Sequence, residues 1–227
     1  MTLKCGAILL CVFLVGCSSS SDPSQEVVVG TGDGLFPAAL LTDWVSYAVQ
    51  VSRVRVLRER ELPSPETLKR GEGYIAREVT LSVMDTFWTS PGASSPGATN
   101  MPTELAVLVQ GWILRQGNER HLFAIPESPR IEVDGVYVMP LVNLVIDARL
   151  AWGPLSTDAV FASAGDAVAM EDVRARGTGR VAKGLSGMSD AELTRTFAET
   201  PPDPLAQKYF NLPPLERLAA VQMERGQ

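Results

Sequence analysis

Few residues of this 227-residue chain have types and spacing suited to chemistry. There is one histidine, His121, too little by itself for a histidine-rich metal site or a triad, and a structural role fits it better than that of a lone base. Ser186 lies in Gly184-Leu185-Ser186-Gly187, which lacks the Gly-x-Ser-x-Gly spacing of a nucleophile elbow. The acidic groups Asp166, Glu171 and Asp172, and the pair Glu59 and Glu61, lack the spacing of an EF-hand loop. Glycosidase carboxylates need not be close in sequence, so that chemistry has no support here rather than a refutation. Gly30-Thr31-Gly32-Asp33-Gly34 has the wrong spacing for a nucleotide-binding turn. The expectation is therefore no catalytic residue, no metal ligand set and no cofactor.

The cysteines carry a different chemistry. All three, Cys5, Cys11 and Cys17, fall at the N-terminus. A short cationic start, Met1 to Lys4, precedes an apolar run from Gly6 to Val15. Ten residues are too few to span a bilayer, which takes about 20, and suit the core of a secretory signal. Leu14-Val15-Gly16-Cys17 resembles the lipobox of bacterial lipoproteins. The resemblance covers the N-terminus alone and implies cleavage before Cys17. It further implies a diacylglyceryl group in thioether linkage to that thiol, making Cys17 the lipid attachment site. Two acyl chains suffice for stable anchoring. The alternative is a plain secretory signal, whose small-x-small site Gly16 and Ser18 imitate.

On the lipoprotein reading the chain is anchored to the cell membrane or outer membrane and faces away from the cytoplasm. Ser18 does not resemble the aspartate that retains some lipoproteins in the inner membrane. The mature domain has no second thiol and no intramolecular disulfide, so its core alone must hold it. Loss of Lys4 with the leader moves the formal charge from −6 to −7, which argues against nucleic acid as a partner.

The elements that must position any site follow in order. Residues 1–16 read as the signal peptide and 17–43 as the lipidated cysteine with a flexible tether. Residues 44–161 read as a β-barrel domain, and 162–227 as a Gly/Ala-rich linker with C-terminal helices. Alternation of apolar residues from Trp44 to Arg60 predicts a first strand, with a change of parity near Val51 to Arg53 that predicts a β-bulge or bend. Tyr74 to Trp88 predicts a second strand whose inward face is interrupted by Arg77 and Asp85. Glu104 to Arg115 and His121 to Ile125 form an expected hairpin around Gln116-Gly117-Asn118. Two stretches on either side of Pro140 complete the sheet. Glu61 to Gly73 and Ala162 to Gly187 read as loops. A capping box at Ser189 and Glu192 opens a helix from Asp190 to Glu199, and shorter helices follow Asp203 and Pro213.

The expected fold is mainly β: five to seven strands in a small antiparallel barrel or sandwich, OB- or SH3-like in strand count, with a helical C-terminal appendage. Arg53, Arg55 and Trp88 form the candidate ligand or partner surface. The expected function is that of a non-enzymatic binding module for an envelope protein or glycan. The alternatives are an envelope hydrolase using dispersed carboxylates and a capture protein for a small extracellular ligand.

Overall fold

The computed structural model describes residues 27–30, 34–91, 102–125, 128–146, 149–163 and 179–226. The leader, with Cys17, lies outside them, as do Asp166, Glu171 and Asp172 and most of the excursion expected between Thr89 and Thr103. The chain is mainly β. Among the described residues, eight strands form one mixed sheet: β1 (Val27–Val29), β2 (Gln50–Leu62), β3 (Gly73–Thr89), β4 (Glu104–Gln116), β5 (Glu119–Ala124), β6 (Val136–Ile146), β7 (Arg149–Pro154) and β8 (Phe161–Ala162). The order is β1-β5-β4-β3-β2-β6-β7, with β8 on β6 and a further pairing between β4 and β7. Six helices accompany the sheet among the described residues: α1 (Leu41–Tyr47), α2 (Pro65–Arg70), α3 (Arg180–Leu185), α4 (Asp190–Glu199), α5 (Pro204–Lys208) and α6 (Pro214–Arg225).

The sheet is mostly antiparallel, as expected, with parallel pairing at two places. β1 runs parallel to β5, with Val27 opposite Leu122, and β4 meets β7 in parallel at Val107 and Trp152. β1 lies within the stretch 17–43 expected as a tether. Its three valines have strand propensity, and β5 offers an edge for their backbone groups to pair with.

The first expected strand is corrected in its N-terminal half. Leu41–Tyr47 is helical, and the ladder starts at Gln50. The apolar alternation at 44–49 was consistent with a strand, yet Trp44, Val45, Tyr47 and Ala48 are all buried, which a helix packed deeply on the core also requires. Asp43 closes the helix start by accepting from the Leu40 N–H at 2.9 Å. Register shifts between Val51 and Ser52 and between Arg53 and Val54 lie where the parity of the sequence changes.

The loop expected from Glu61 to Gly73 contains α2, capped by Ser64, whose hydroxyl accepts from the Thr67 N–H at 3.0 Å. The Gln116-Gly117-Asn118 turn joins β4 and β5, with Gly117 at φ 58°. α4 opens on the Ser189/Glu192 capping box, and α6 ends at Gly226 in the left-handed region.

Two cores result. Val54, Val79, Leu105, Tyr137 and Leu141 belong to one, drawn from β2, β3, β4 and β6. The other joins the helices to the sheet: Trp44, Phe197, Leu193 and Leu218 pack with Val51, Val138 and Phe161. Trp44 and Phe197 stack with centroids 6.2 Å apart at 19°. Arg217, buried on α6, donates to the Ser46 carbonyl at 2.6 Å and ties α6 to α1. Burial pushes its guanidinium down to about 10, still cationic at neutral pH. The C-terminal helices are thus packed on the sheet rather than trailing from it.

Candidate functional site

The most constructed part of the molecule lies around an irregularity in β4. Ile75 of β3 pairs with Trp112, whereas Arg77 pairs with Val109. Gln110 and Gly111 therefore oppose Ala76 alone, a β-bulge. Glycine is required there: a Cβ on residue 111 would stand 2.0 Å from the Ile75 carbonyl oxygen. The Gly111 N–H donates to the Tyr74 hydroxyl at 2.7 Å. Tyr74 in turn meets Phe123 edge-on, with centroids 5.3 Å apart.

The bulge turns backbone carbonyls toward two buried arginines. Arg77 Nε donates to the Gln110 carbonyl at 2.9 Å. Arg130 Nη1 sits among the carbonyls of Gln110 (3.2 Å), Gly111 (2.7 Å) and Phe123 (2.6 Å). Arg77 also pairs with Glu59 at 2.6 Å and Glu132 at 3.2 Å, and donates to the Ile131 carbonyl. Glu132 Oε1 lies 2.6 Å from Arg130 Nε. Both guanidinium groups are fully buried, while the two carboxylates keep about a third of their exposure, at 31% and 30%. The Arg130 guanidinium lies 4.5 Å from the Trp112 ring centroid. Burial, and then the charge of Arg77, push Arg130 down to about 10. Tyr137 closes the network: its hydroxyl accepts from the Glu132 N–H at 2.9 Å and donates to the Arg130 carbonyl at 3.2 Å.

Against this scaffold lies a cavity of about 210 Å³. Its walls are mostly apolar, with Val109, Phe123, Ile125, Ile131, Pro154 and Val160. Tyr74 and Leu108 stand at its opening, 42% and 45% exposed. Gln110 is its most buried polar wall residue, at 6% exposure. The Gln110 Nε2 donates to Ser128 Oγ at 2.7 Å, and Ser128 Oγ donates to the Thr157 carbonyl at 2.7 Å. A carbonyl can only accept, so the serine proton points to Thr157 and the serine oxygen must accept from the amide NH₂. This fixes the amide orientation. Gln110 Oε1 is then left with no hydrogen-bond partner among the described residues.

The residues singled out from sequence are distributed differently. Arg53 is built into the fold: it pairs with Asp85 at 3.0 Å, bonds Ser163 at 3.0 Å and binds Asp190 through both nitrogens. Its guanidinium lies 5.3 Å from the Phe87 centroid. Arg55 is exposed, opposite Ser82 in register. Trp88 is half-buried, opposite Val51, and packs on the helix-covered core.

His121 is 8% exposed, with Nε2 3.4 Å from Glu119 Oε1. Glu59 and Glu61 are engaged by Arg77 and Arg120 respectively. Ser186 is exposed at the C-terminal end of α3. No group of three or more His, Cys, Asp or Glu suited to a metal occurs among the described residues. No helix among them is long and apolar enough to cross a membrane.

Sequence reasoning missed Gln110, Tyr74, Phe123 and Arg130 as members of one site. Two signals stood for it. Arg77 breaks the inward face of its strand, and Gly111 is an isolated glycine inside a strand, a mark of a bulge. Compared with known protein families, curated proteins and solved structures, the chain matches none.

Proposed function

We propose that the chain is a lipid-anchored, extracytoplasmic binding module for an envelope protein, using the cavity beside the β4 bulge as its contact point. The observation that carries this reading is the cavity itself. Bulges concentrate at functional sites, and this one is held by two buried arginines whose desolvation is costly. A cost of that kind is consistent with a shape kept for recognition. Tyr74 and Leu108, large and exposed at the opening, supply the apolar surround that a partner would cover. The cavity is smaller than the roughly 300–1,000 Å³ of pockets that enclose a free ligand, which favours one side chain of a partner over capture of a whole small molecule.

The finer fold reading that goes with this function is a small barrel. The β4–β7 pairing returns the strand path to β4, so that β4, β3, β2, β6 and β7 form a ring closed at a single residue pair. The strand count agrees with OB-type barrels, while β1 and β5 lie outside the ring; the likeness carries no function with it. The hydrolase alternative draws less support. In the open polar cleft beside β2 and β3, Glu59, Glu78 and Glu104 each face an arginine: Arg77 at 2.6 Å, Arg60 at 2.8 Å and Arg58 at 3.4 Å. Each carboxylate thus faces a cation, an arrangement of ion pairs rather than of an acid set opposite a base.

Two experiments test the proposal. A photoreactive residue at position 108 of the anchored protein in its native cells is expected to yield a protein adduct, and one at the exposed position 68 is not. Equal adducts from both positions, or none, would remove the binding reading. Mass measurement of the N-terminal peptide is expected to show a diacylated Cys17; an unmodified thiol, or cleavage elsewhere, would remove the anchor.

A further inference from the structure

We infer that the exposed edge of β2 over residues 57–62 takes an extended segment of the partner protein as an added strand. That segment carries acidic residues toward Arg58 and Arg60 and basic residues toward Glu59 and Glu61. This rests on the binding-module reading above and names the kind of segment the partner contributes.

Three observations converge. The first is a free edge. β6 pairs with β2 only as far as Arg55, and the backbone of Val56 closes that side through Asp134 and Gly135. Beyond it, residues 57–62 pair with β3 alone among the described residues. Six residues span about 20 Å, the length of an ordinary strand. Such an edge presents a row of backbone donors and acceptors to another chain.

The second is the order of the charges. Arg58 lies beside Thr80 and Arg60 beside Glu78, on the outer face of the sheet. Glu59 lies beside Val79 and Glu61 beside Arg77, on the face turned to the core, where Val79 and Arg77 are fully buried. The formal charges of these four edge residues cancel, so the edge does not repel partners in general. It does repel a second copy. Antiparallel strands set residues of the same face opposite each other, so across a two-fold axis Arg58 would meet Arg60 and Glu59 would meet its own copy. A purely apolar strand would bury the four charges without answering them. A strand of one sign would meet like charge on one face. Alternating acid and base answers both faces at once.

The third is space and continuity. The open cleft of about 620 Å³ runs along this edge, lined by Arg58, Arg60, Glu78, Thr80 and Glu104. Arg58 and Arg60 are exposed, and their pairs with Glu104 and Glu78 are of the surface kind, so both can turn to a new carboxylate at little loss. Arg60, Glu78 and Leu108 form one cross-strand row. An added strand thus lies on the same face as Leu108 at the cavity opening, about 10 Å away at two strand spacings. One partner can cover both.

The test titrates the full chain in detergent, labelled at its backbone amides, with the end-capped peptide Thr-Glu-Lys-Glu-Lys-Thr. Saturable shifts at residues 57–62, with slowed hydrogen exchange at alternate amides, are expected. The same composition in block order, Thr-Glu-Glu-Lys-Lys-Thr, should bind at least about fivefold more weakly. Methylating every second peptide nitrogen separates strand addition from charge attraction, since the side chains stay the same. One phase of methylation should abolish binding, and the other should leave it within about threefold. The double variant Arg58→Glu with Arg60→Glu, at two exposed positions, should weaken the alternating peptide by about tenfold. Equal binding of the alternating and block peptides, indifference to both phases of methylation, shifts centred elsewhere, or no binding to the wild type would each overturn the inference. In the native cells, a photoreactive residue at position 57 should catch the same protein as position 108, within a segment of alternating charge. An adduct from position 108 without one from position 57 would defeat this inference and leave the binding module standing. Absence of the adduct from position 108 would defeat the binding module itself.

Discussion

Arg53 and Asp190 join the N-terminal part of β2 to the first turn of α4, 137 positions apart in the chain, with Nη1 2.9 Å from Oδ2. The same arginine lies over Phe87 and reaches Asp85 and Ser163, so one cation fastens helix, two strands and the end of β8. The hydrogen bond from Arg53 holds the Asp190 carboxyl below its ordinary value of 3.8. Because the folded value is depressed, the stabilisation is fully present above the unfolded value. It is lost as pH falls through the folded one. Thermal melts between pH 6 and pH 2 should therefore show a steeper acid decline for the wild type than for Asp190→Asn, with the curves converging at the acid end.

Arg130 gives the second prediction. It is fully buried, and its removal takes the Arg130 donor from the Gly111 and Phe123 carbonyls and leaves the Gln110 carbonyl and Glu132 to Arg77 alone. Arg130→Met should lower unfolding free energy by about 3–5 kcal/mol, read from urea denaturation. Arg60→Met, which removes only the exposed pair with Glu78, should change it by less than about 1 kcal/mol. Similar losses for both would mean that the buried network does not hold the bulge.

The third prediction compares two glycines on one strand pair. Gly111→Ala places a methyl 2.0 Å from the Ile75 carbonyl, a clash with backbone that only a shift of the ladder relieves. A loss of more than about 2 kcal/mol is expected, read from urea denaturation. Gly117 has open space around it and a φ of 58°, so Gly117→Ala should cost about 1–2 kcal/mol from backbone strain alone and leave the cavity intact.

Helix docking supplies the fourth. Phe197 is fully buried and stacks on Trp44 across the join between α4 and α1. Phe197→Ala should cost about 3–5 kcal/mol in urea denaturation and alter the near-ultraviolet circular dichroism of the tryptophans. Normal stability with an altered aromatic signal would show that the helices are fastened chiefly by Arg53 and Arg217 instead.

The strands, the hairpin and the three helix starts after Ser189 were legible because their signals are local: period-two alternation, a Gly-centred turn, a capping box, proline at N1. Residues 44–49 were not, because six residues with buried neighbours on both sides satisfy strand and helix periodicity alike, and tertiary packing decided. The parallel contacts of β1 with β5 and of β4 with β7 depend on edges that form only once the sheet exists. The candidate site was visible only in fragments. Arg77 stood out as a charge on an inward face, but its neighbours come from Glu59, Gln110, Ile131 and Glu132, far apart in the chain. Arg53 read as a surface cation because its partner Asp190 is supplied by a distant helix.

The pairing of β1 with β5 has a mechanical side. On the proposed anchoring at Cys17, nine residues would separate the anchor from Val27, a contour of about 30 Å. Any pull between membrane and domain enters through three residues of strand and the bond from the Gly30 N–H to the Ala124 carbonyl. That strand lies outside both cores, so it yields first, as a fuse does. Phe36, only 4% exposed, is the next residue that carries load. Between the two, peeling lengthens the leash to roughly 60 Å without disturbing the helices. It also lifts Gly30 off the Phe123 ring, on which a Cβ at that position would collide at 2.3 Å. On the proposed reading, tension on such a leash would reach a wall of the cavity through Phe123, and the reach of the molecule and the shape of its proposed contact point would become one mechanical variable.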